Sequence, residues 1–167
     1  DSAYFENYFD LTRELDKVYL KARSFGNEFL SVAAECGKGV RLLRQNTFET
    51  LFSFIISQNN NIPRIKRIIE SLCDELGEKR EFDGTEYRAF PSLDALLKKD
   101  EAFYKSKGLG YRAEYITSVA RAIADGAFSI EKAEKLPTAE LKKSLLTLKG
   151  VGPKVADCVS LFGFYRY

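Results

Sequence analysis

Histidine is missing from all 167 residues, which excludes imidazole acid–base chemistry and histidine-bound zinc. Only three cysteines occur, Cys36, Cys73 and Cys158. They are odd in number, far apart and without metal-ligand spacing, so neither a disulfide framework nor a four-cysteine iron–sulfur cluster is expected in this segment. No apolar run approaches the length of a membrane span, and no signal peptide opens the sequence. A soluble, intracellular monomer without a membrane partner is expected. Methionine and tryptophan are absent too, an oddity that fits an excerpt from a longer protein. An excess of charge of one sign is also lacking: 26 basic against 24 acidic residues leave a net +2. That balance neither announces nor excludes nucleic acid, and any face that takes a polyanion must be local.

What is plentiful is apolar residue at helical spacing, 45% of the chain, enough for a core in one domain or two small lobes. Asp10 or Thr12 is placed to cap a helix with Leu15, Val18 and Tyr19 as its buried stripe, and a second helical run follows around 27–36. Arg41 and Arg44 read by themselves as a solvated basic patch. Residues 47–57 are apolar on most sides, and 64–76 continue as a helix with Ile65, Ile68, Ile69 and Leu72 inward, stopped by Gly77. Residues 78–90 are a charged connection with a turn at Asp83-Gly84. Ser92 opens a helix reaching Lys105 with Leu93, Leu96 and Leu97 inward, and further helices cover 113–124 and 128–136. No strand is expected. The predicted fold is all-α, a helical bundle.

The densest run of unusual residues is Leu148-Lys149-Gly150-Val151-Gly152-Pro153-Lys154-Val155-Ala156-Asp157-Cys158. Ahead of it Thr138 is placed to cap a short amphipathic helix, and behind it Pro153 suits the first turn of another. Two helices joined by Gly-Val-Gly make a helix-hairpin-helix, which divides the chain into residues 1–137 and 138–167. Gly150 and Gly152 have no Cβ, so the backbone of residues 149–152 can turn sharply and press its N–H groups on a phosphate. Such a contact binds DNA without reading its sequence. Lys154 sits where the positive end of a helix disfavours an ammonium, with Lys149 and Lys142-Lys143 adding repulsion. A neutral amine attacks carbon to form a Schiff base; a charged one simply binds phosphate. Spacing alone leaves both open.

Two other corners stand out. Ser57-Gln58-Asn59-Asn60-Asn61-Ile62-Pro63-Arg64 breaks a helix with three asparagines, and Asn61 is a good N-cap for the next. The same corner exposes amide and guanidinium donors, the groups with which an enzyme that extracts a base holds the orphaned partner. Gly108-Leu109-Gly110 precedes Tyr111-Arg112, which is either a stacking wedge beside a hydrogen-bonding arm or a core tyrosine beside a surface arginine.

Taken together, Leu-x-Gly-Val-Gly-x-Lys-Val-Ala-Asp-Cys at 148–158, Asn-Asn-Asn-Ile-x-Arg at 59–64, Tyr-Arg at 111–112 and Gly-Val-Arg-Leu-Leu-Arg-Gln at 39–45 resemble the 8-oxoguanine branch of the helix-hairpin-helix DNA glycosylases. The likeness runs from near Phe5 to near Tyr165. It implies base-excision repair by an N-glycosylase and β-lyase acting on duplex DNA with oxidised guanine opposite cytosine. It implies Lys154 as the nucleophile, Cys158 against the extruded base, Asn59 in the gap, and Tyr111 buckling the opposite strand. Arg64 and Arg112 would contact the widowed cytosine. It implies no redox cofactor or iron–sulfur cluster, and a monovalent or other cation on the backbone carbonyls of Leu146, Leu148 and Val151. The family's Pro-Val-Asp aspartate and its N-terminal β-rich lobe are expected to lie outside residues 1–167. Asp157, three residues past Lys154 on the same helix, is no substitute. The competing reading is a non-catalytic clamp, which needs Gly150 and Gly152 but has no use for Lys154, Asn59 or Tyr111-Arg112.

Overall fold

Asn46, Asn61, Ser92, Asp100 and Ser129 each turn a side-chain oxygen onto a backbone N–H three residues on, and each opens a helix. These are α4 (Thr47–Ser57), α5 (Ile62–Leu76), α6 (Leu93–Leu97), α7 (Glu101–Ser106) and α9 (Ile130–Ala133). With α8 (Arg112–Ala124), α10 (Thr138–Leu146) and α11 (Pro153–Phe162) they build the larger of two units in the computed structural model, which describes residues 2–167. That unit is Asn46–Tyr167, the smaller Asp1–Gln45.

The core of the larger unit sits around α4, whose Leu51, Phe52, Ile55 and Ile56 are all buried and which packs on α5, α8 and α11. Each aliphatic side chain so enclosed contributes about 1.5–3 kcal/mol. Val155, Ala156 and Val159 of α11 join this core, Phe162 stacks on Phe54 at 5.7 Å, and the Thr47 hydroxyl donates to the Gly163 carbonyl at 2.9 Å. The hairpin helices therefore belong to the same body as the rest of the bundle, and the boundary lies at Gln45/Asn46 instead of 137/138.

The all-α fold holds, with local departures. Lys79–Phe82 (β1) and Thr85–Arg88 (β2) pair antiparallel, a hairpin where no strand was expected. Asp83 and Gly84 both have positive φ, 50° and 70°, the geometry of a tight two-residue turn whose twist matches paired strands. Every residue of both strands is exposed, so the alternation that signals a half-buried strand is missing. The helix expected from Ser92 to Lys105 is two: Asp100 caps a fresh start, and Leu97 is left exposed. Only 130–133 of the run 128–136 is helical. Thr138 makes no cap bond, because it already lies inside α10 behind Pro137.

In the smaller unit, Ser2–Tyr8 (α1), Leu15–Ser24 (α2) and Glu28–Cys36 (α3) bury no residue among those described. Val18, expected inside, is exposed. The Asp10 carboxylate is buried, not a helix cap, and pairs with Arg13 at 2.9 Å and Arg44 at 2.8 Å. Arg41 donates to the carbonyls of Asp10 and Arg13. Arg41 and Arg44 are thus structural ties, not a solvated patch.

Candidate active site

The turn between α10 and α11 is set by Gly150, whose φ of +82° is open to glycine but strained for other residues. A Cβ there would lie 2.3 Å from the Tyr115 ring. The Val151 N–H closes the turn on the Leu148 carbonyl at 3.0 Å. Gly152 has an ordinary φ of −88°, and a Cβ on it would meet nothing within 4 Å. The space beside its Cα is therefore open to a ligand. Pro153 and Lys154 then form the exposed first turn of α11.

Because α11 buries Val155, Ala156 and Val159, Lys154 and Cys158 are left together on its other side, four residues apart. They line one cleft of about 490 Å³ with Asn59, Gln58, Tyr111 and Gly152. Three stretches far apart in sequence thus meet in one place. A larger groove of about 760 Å³, bordered by Phe48, Phe90, Phe128 and Glu131, holds none of the sequence-predicted residues.

The three asparagines do different things. Asn61 caps α5 by accepting from the Arg64 N–H at 3.0 Å, and the Asn60 amide donates to the Ile56 carbonyl at 3.3 Å. Asn59 has a left-handed backbone, φ +44°, and among the described residues its side-chain amide makes no hydrogen bond. Asparagine tolerates that conformation better than most residues. The corner is both a helix start and a free amide at the lip of the cleft.

At the neighbouring loop, Tyr111 is 50% exposed and Arg112 only 4%, the reverse of a core tyrosine beside a surface arginine. Tyr111 lies over the Arg112 guanidinium at 4.6 Å and edge-on to Tyr115 at 5.6 Å. Expected as an arm for a base, Arg112 instead donates to main-chain carbonyls: Nε to Gln58 at 2.7 Å, Nη1 to Leu109 at 3.2 Å, and Nη2 to Asn59 at 2.8 Å and to Gln58. Arg64 is exposed and donates to the Gly108 carbonyl at 2.9 Å. Each loop is therefore tied to the other by an arginine.

Two lysines of the hairpin are paired. Lys149 meets Glu114, whose hydrogen bond holds the lysine above its usual range, and Lys142 meets Asp157 at 2.7 Å. The repulsion expected from Lys149 and Lys142 on Lys154 is thereby offset, and Asp157 pairs with a residue of α10. Among the described residues no three His, Cys, Asp or Glu side chains gather as a metal site. The Leu148 carbonyl accepts from Val151, whereas among the described residues those of Leu146 and Val151 accept no bond. Such oxygens are hard donors suited to a small cation. Tyr115 was missed from sequence, although its spacing of four from Tyr111 put both on one helix face. Gln58 was missed because its part is played by a carbonyl.

Residues 52–167 match the family model of the HhH-GPD superfamily base excision DNA repair protein, and residues 1–51 match the 8-oxoguanine DNA glycosylase N-terminal domain. The chain is 39% identical over 145 residues to the N-glycosylase/DNA lyase of Saccharomyces cerevisiae, covering 77% of this chain and 37% of that protein. It is 41% identical over 137 residues to the N-glycosylase/DNA lyase OGG1 of Arabidopsis thaliana, covering 78% and 37%. The apo structure of Clostridium acetobutylicum 8-oxoguanine glycosylase/lyase superposes with a TM-score of 0.92 at 36% identity, over 99% of this chain and 57% of that one. Its complex with double-stranded DNA containing cytosine opposite 8-oxoguanine gives 0.88, over 98% and 56%. This chain spans less than two thirds of the length of each of these relatives. On the first of these matches, which takes in every residue of the cleft, the chain belongs to the HhH-GPD superfamily of base excision DNA repair proteins.

Proposed function

We propose that this chain carries the nucleophile and gap-filling groups of a DNA N-glycosylase/β-lyase that removes 8-oxoguanine opposite cytosine from duplex DNA. One observation carries the reading: Lys154 and Cys158 share a cleft with Asn59 and Tyr111. A clamp needs only the hairpin, whereas an enzyme that extrudes a base needs a nucleophile, a pocket and a filler within reach of one nucleotide.

In this reading the open backbone at Gly152 takes a phosphate and sets the strand beside α11. Tyr111 stacks on the opposite strand, the Asn59 amide enters the space left by the extruded base, and Arg64 faces the widowed cytosine. Cys158 borders the oxidised base. The Lys154 nitrogen bonds to C1′ as the N-glycosidic bond breaks, its electron pair leaving with the base, which takes up a proton. Loss of the amine proton and opening of the sugar ring give an imine. Removal of a C2′ proton then expels the 3′ phosphate by β-elimination. No redox step arises, so no redox cofactor is called for. A monovalent cation on the Leu146, Leu148 and Val151 carbonyls would neutralise phosphate charge at the hairpin. The unit acts as a monomer, wherever the cell keeps its DNA.

Borohydride reduction of the imine tests this directly. Duplexes carrying 8-oxoguanine opposite cytosine, or a bare abasic site, should each give a covalent adduct that disappears in Lys154→Gln. An adduct with abasic DNA alone would mean a competent nucleophile without base excision in this chain. Binding without any adduct would leave only the clamp.

A further inference from the structure

Tyr115 has no part in the reaction described above, yet its side chain touches both sides of the cleft. It lies on α8 one turn beyond Tyr111, and its half-buried ring meets the Tyr111 ring edge-on, with centroids 5.6 Å apart. The same ring lies against the hairpin turn. A Cβ on Gly150 would stand 2.3 Å from its Cγ and Cδ2, so the turn comes this close only because glycine carries none. Leu148 and Val151 flank Gly150 and are buried, and the turn cannot back away from the ring without drawing them out of the core. The neighbouring Lys149–Glu114 bridge is half exposed at both ends and adds little restraint. Among the described residues the Tyr115 hydroxyl makes no hydrogen bond, so what this residue contributes is its ring.

We infer that Tyr115 is a positioning residue whose ring sets the distance from the hairpin turn to Tyr111, and so fixes where the sugar arrives against Lys154. This rests on the glycosylase reading given above. The turn grips the lesion strand by its phosphate, and Tyr111 deforms the duplex beside it. Lys154 is carried by α11, which Val155, Ala156 and Val159 fix in the core, so the nucleophile cannot follow a displaced strand. Misplacing a reacting carbon by about 1 Å can slow its reaction roughly hundredfold.

The test uses the full chain and a duplex with a bare abasic site, and it separates binding from chemistry. Tyr115→Leu should slow formation of the borohydride-trapped imine at saturating protein by about tenfold or more. Its pH profile should stay that of the wild type, because the amine is untouched, and its Kd for undamaged duplex should move less than about threefold. Partial unfolding would demand more protein to saturate without changing the saturated rate. Tyr115→Phe keeps the ring and should match the wild type in every measurement. The contact itself is read from stability: Gly150→Ala should cost less in a Tyr115→Ala background than alone, since the methyl then has room.

A wild-type saturated rate in Tyr115→Leu, a slow Tyr115→Phe, or additive losses in Gly150→Ala/Tyr115→Ala would overturn the inference. Should Tyr115→Leu fail to fold, nuclear Overhauser contacts in the wild type decide. Contacts from the Tyr115 ring to the Gly150 α-protons and to the Tyr111 ring that persist on DNA binding support the spacer, and their loss on binding rejects it. If wild-type protein traps no imine on abasic DNA, the glycosylase reading fails on its own. The same ring contacts and the Gly150/Tyr115 cycle then still show whether Tyr115 spaces the turn from Tyr111.

Discussion

At the scale of single residues the hairpin offers a sharp contrast. Gly150→Ala combines a positive φ with a Cβ driven into the Tyr115 ring. It should lower stability by about 2–4 kcal/mol. Gly152→Ala meets nothing within 4 Å and should unfold near the wild-type temperature; on the proposed phosphate contact, the added methyl would cost duplex affinity. Thermal unfolding and a binding titration on the same two variants separate the roles, and equal loss of stability in both would contradict the assignment. The identities of Lys154, Cys158 and Asn59 were legible in sequence because each sits in a run with its own signature. The role of Arg112 was not. Two of its three partners are carbonyls more than fifty positions away, and a carbonyl leaves no mark on the residue that carries it.

At the scale of elements, the join between α6 and α7 rests on Tyr104, fully buried, with its hydroxyl donating to the Leu96 carbonyl at 2.6 Å. Burial pushes this phenol up to about 12 from its ordinary 10. The folded chain keeps that proton where the unfolded chain has begun to lose it. The stabilising contribution is therefore whole below the unfolded value and drains away as pH rises between the two. Tyr104→Phe should lower stability at neutral pH by about 0.5–1.5 kcal/mol, since the Leu96 carbonyl loses this bond but keeps the Lys99 N–H, and should flatten the decline in melting temperature on the alkaline side. An unchanged alkaline slope would show that other groups dominate there. Most helices were readable from caps and periodicity. The break at Asp100 was hidden because Lys98-Lys99-Asp100 fits a solvated helix face as well as a cap. The β-hairpin was hidden because its strands bury nothing, which left Asp83-Gly84 as the one clue.

At the scale of the whole molecule, a net charge of +2 means that affinity for a polyanion depends on how a few local charges are committed. Glu114 occupies Lys149, the lysine nearest the hairpin turn. Glu114→Gln should raise duplex affinity roughly two- to five-fold at low salt and steepen its fall with added salt, as one more cation becomes free to meet phosphate. An affinity that does not move would place Lys149 outside the interface. Sequence showed that residues 1–45 carry amphipathic helices, yet Phe25 and Phe29 are 66% and 77% exposed. A stripe of apolar residues states that a face needs burial, not what buries it. The arginine ties of the larger unit have a different reach. Among the described residues, Arg112 and Arg64 grip Gln58, Asn59, Leu109 and Gly108 only by main-chain oxygens. A change of side chain at Gln58, which lines the cleft, would therefore leave in place the carbonyl that Arg112 holds, whereas Asn59, in a left-handed backbone, and Leu109, fully buried, are each fixed by more than a carbonyl.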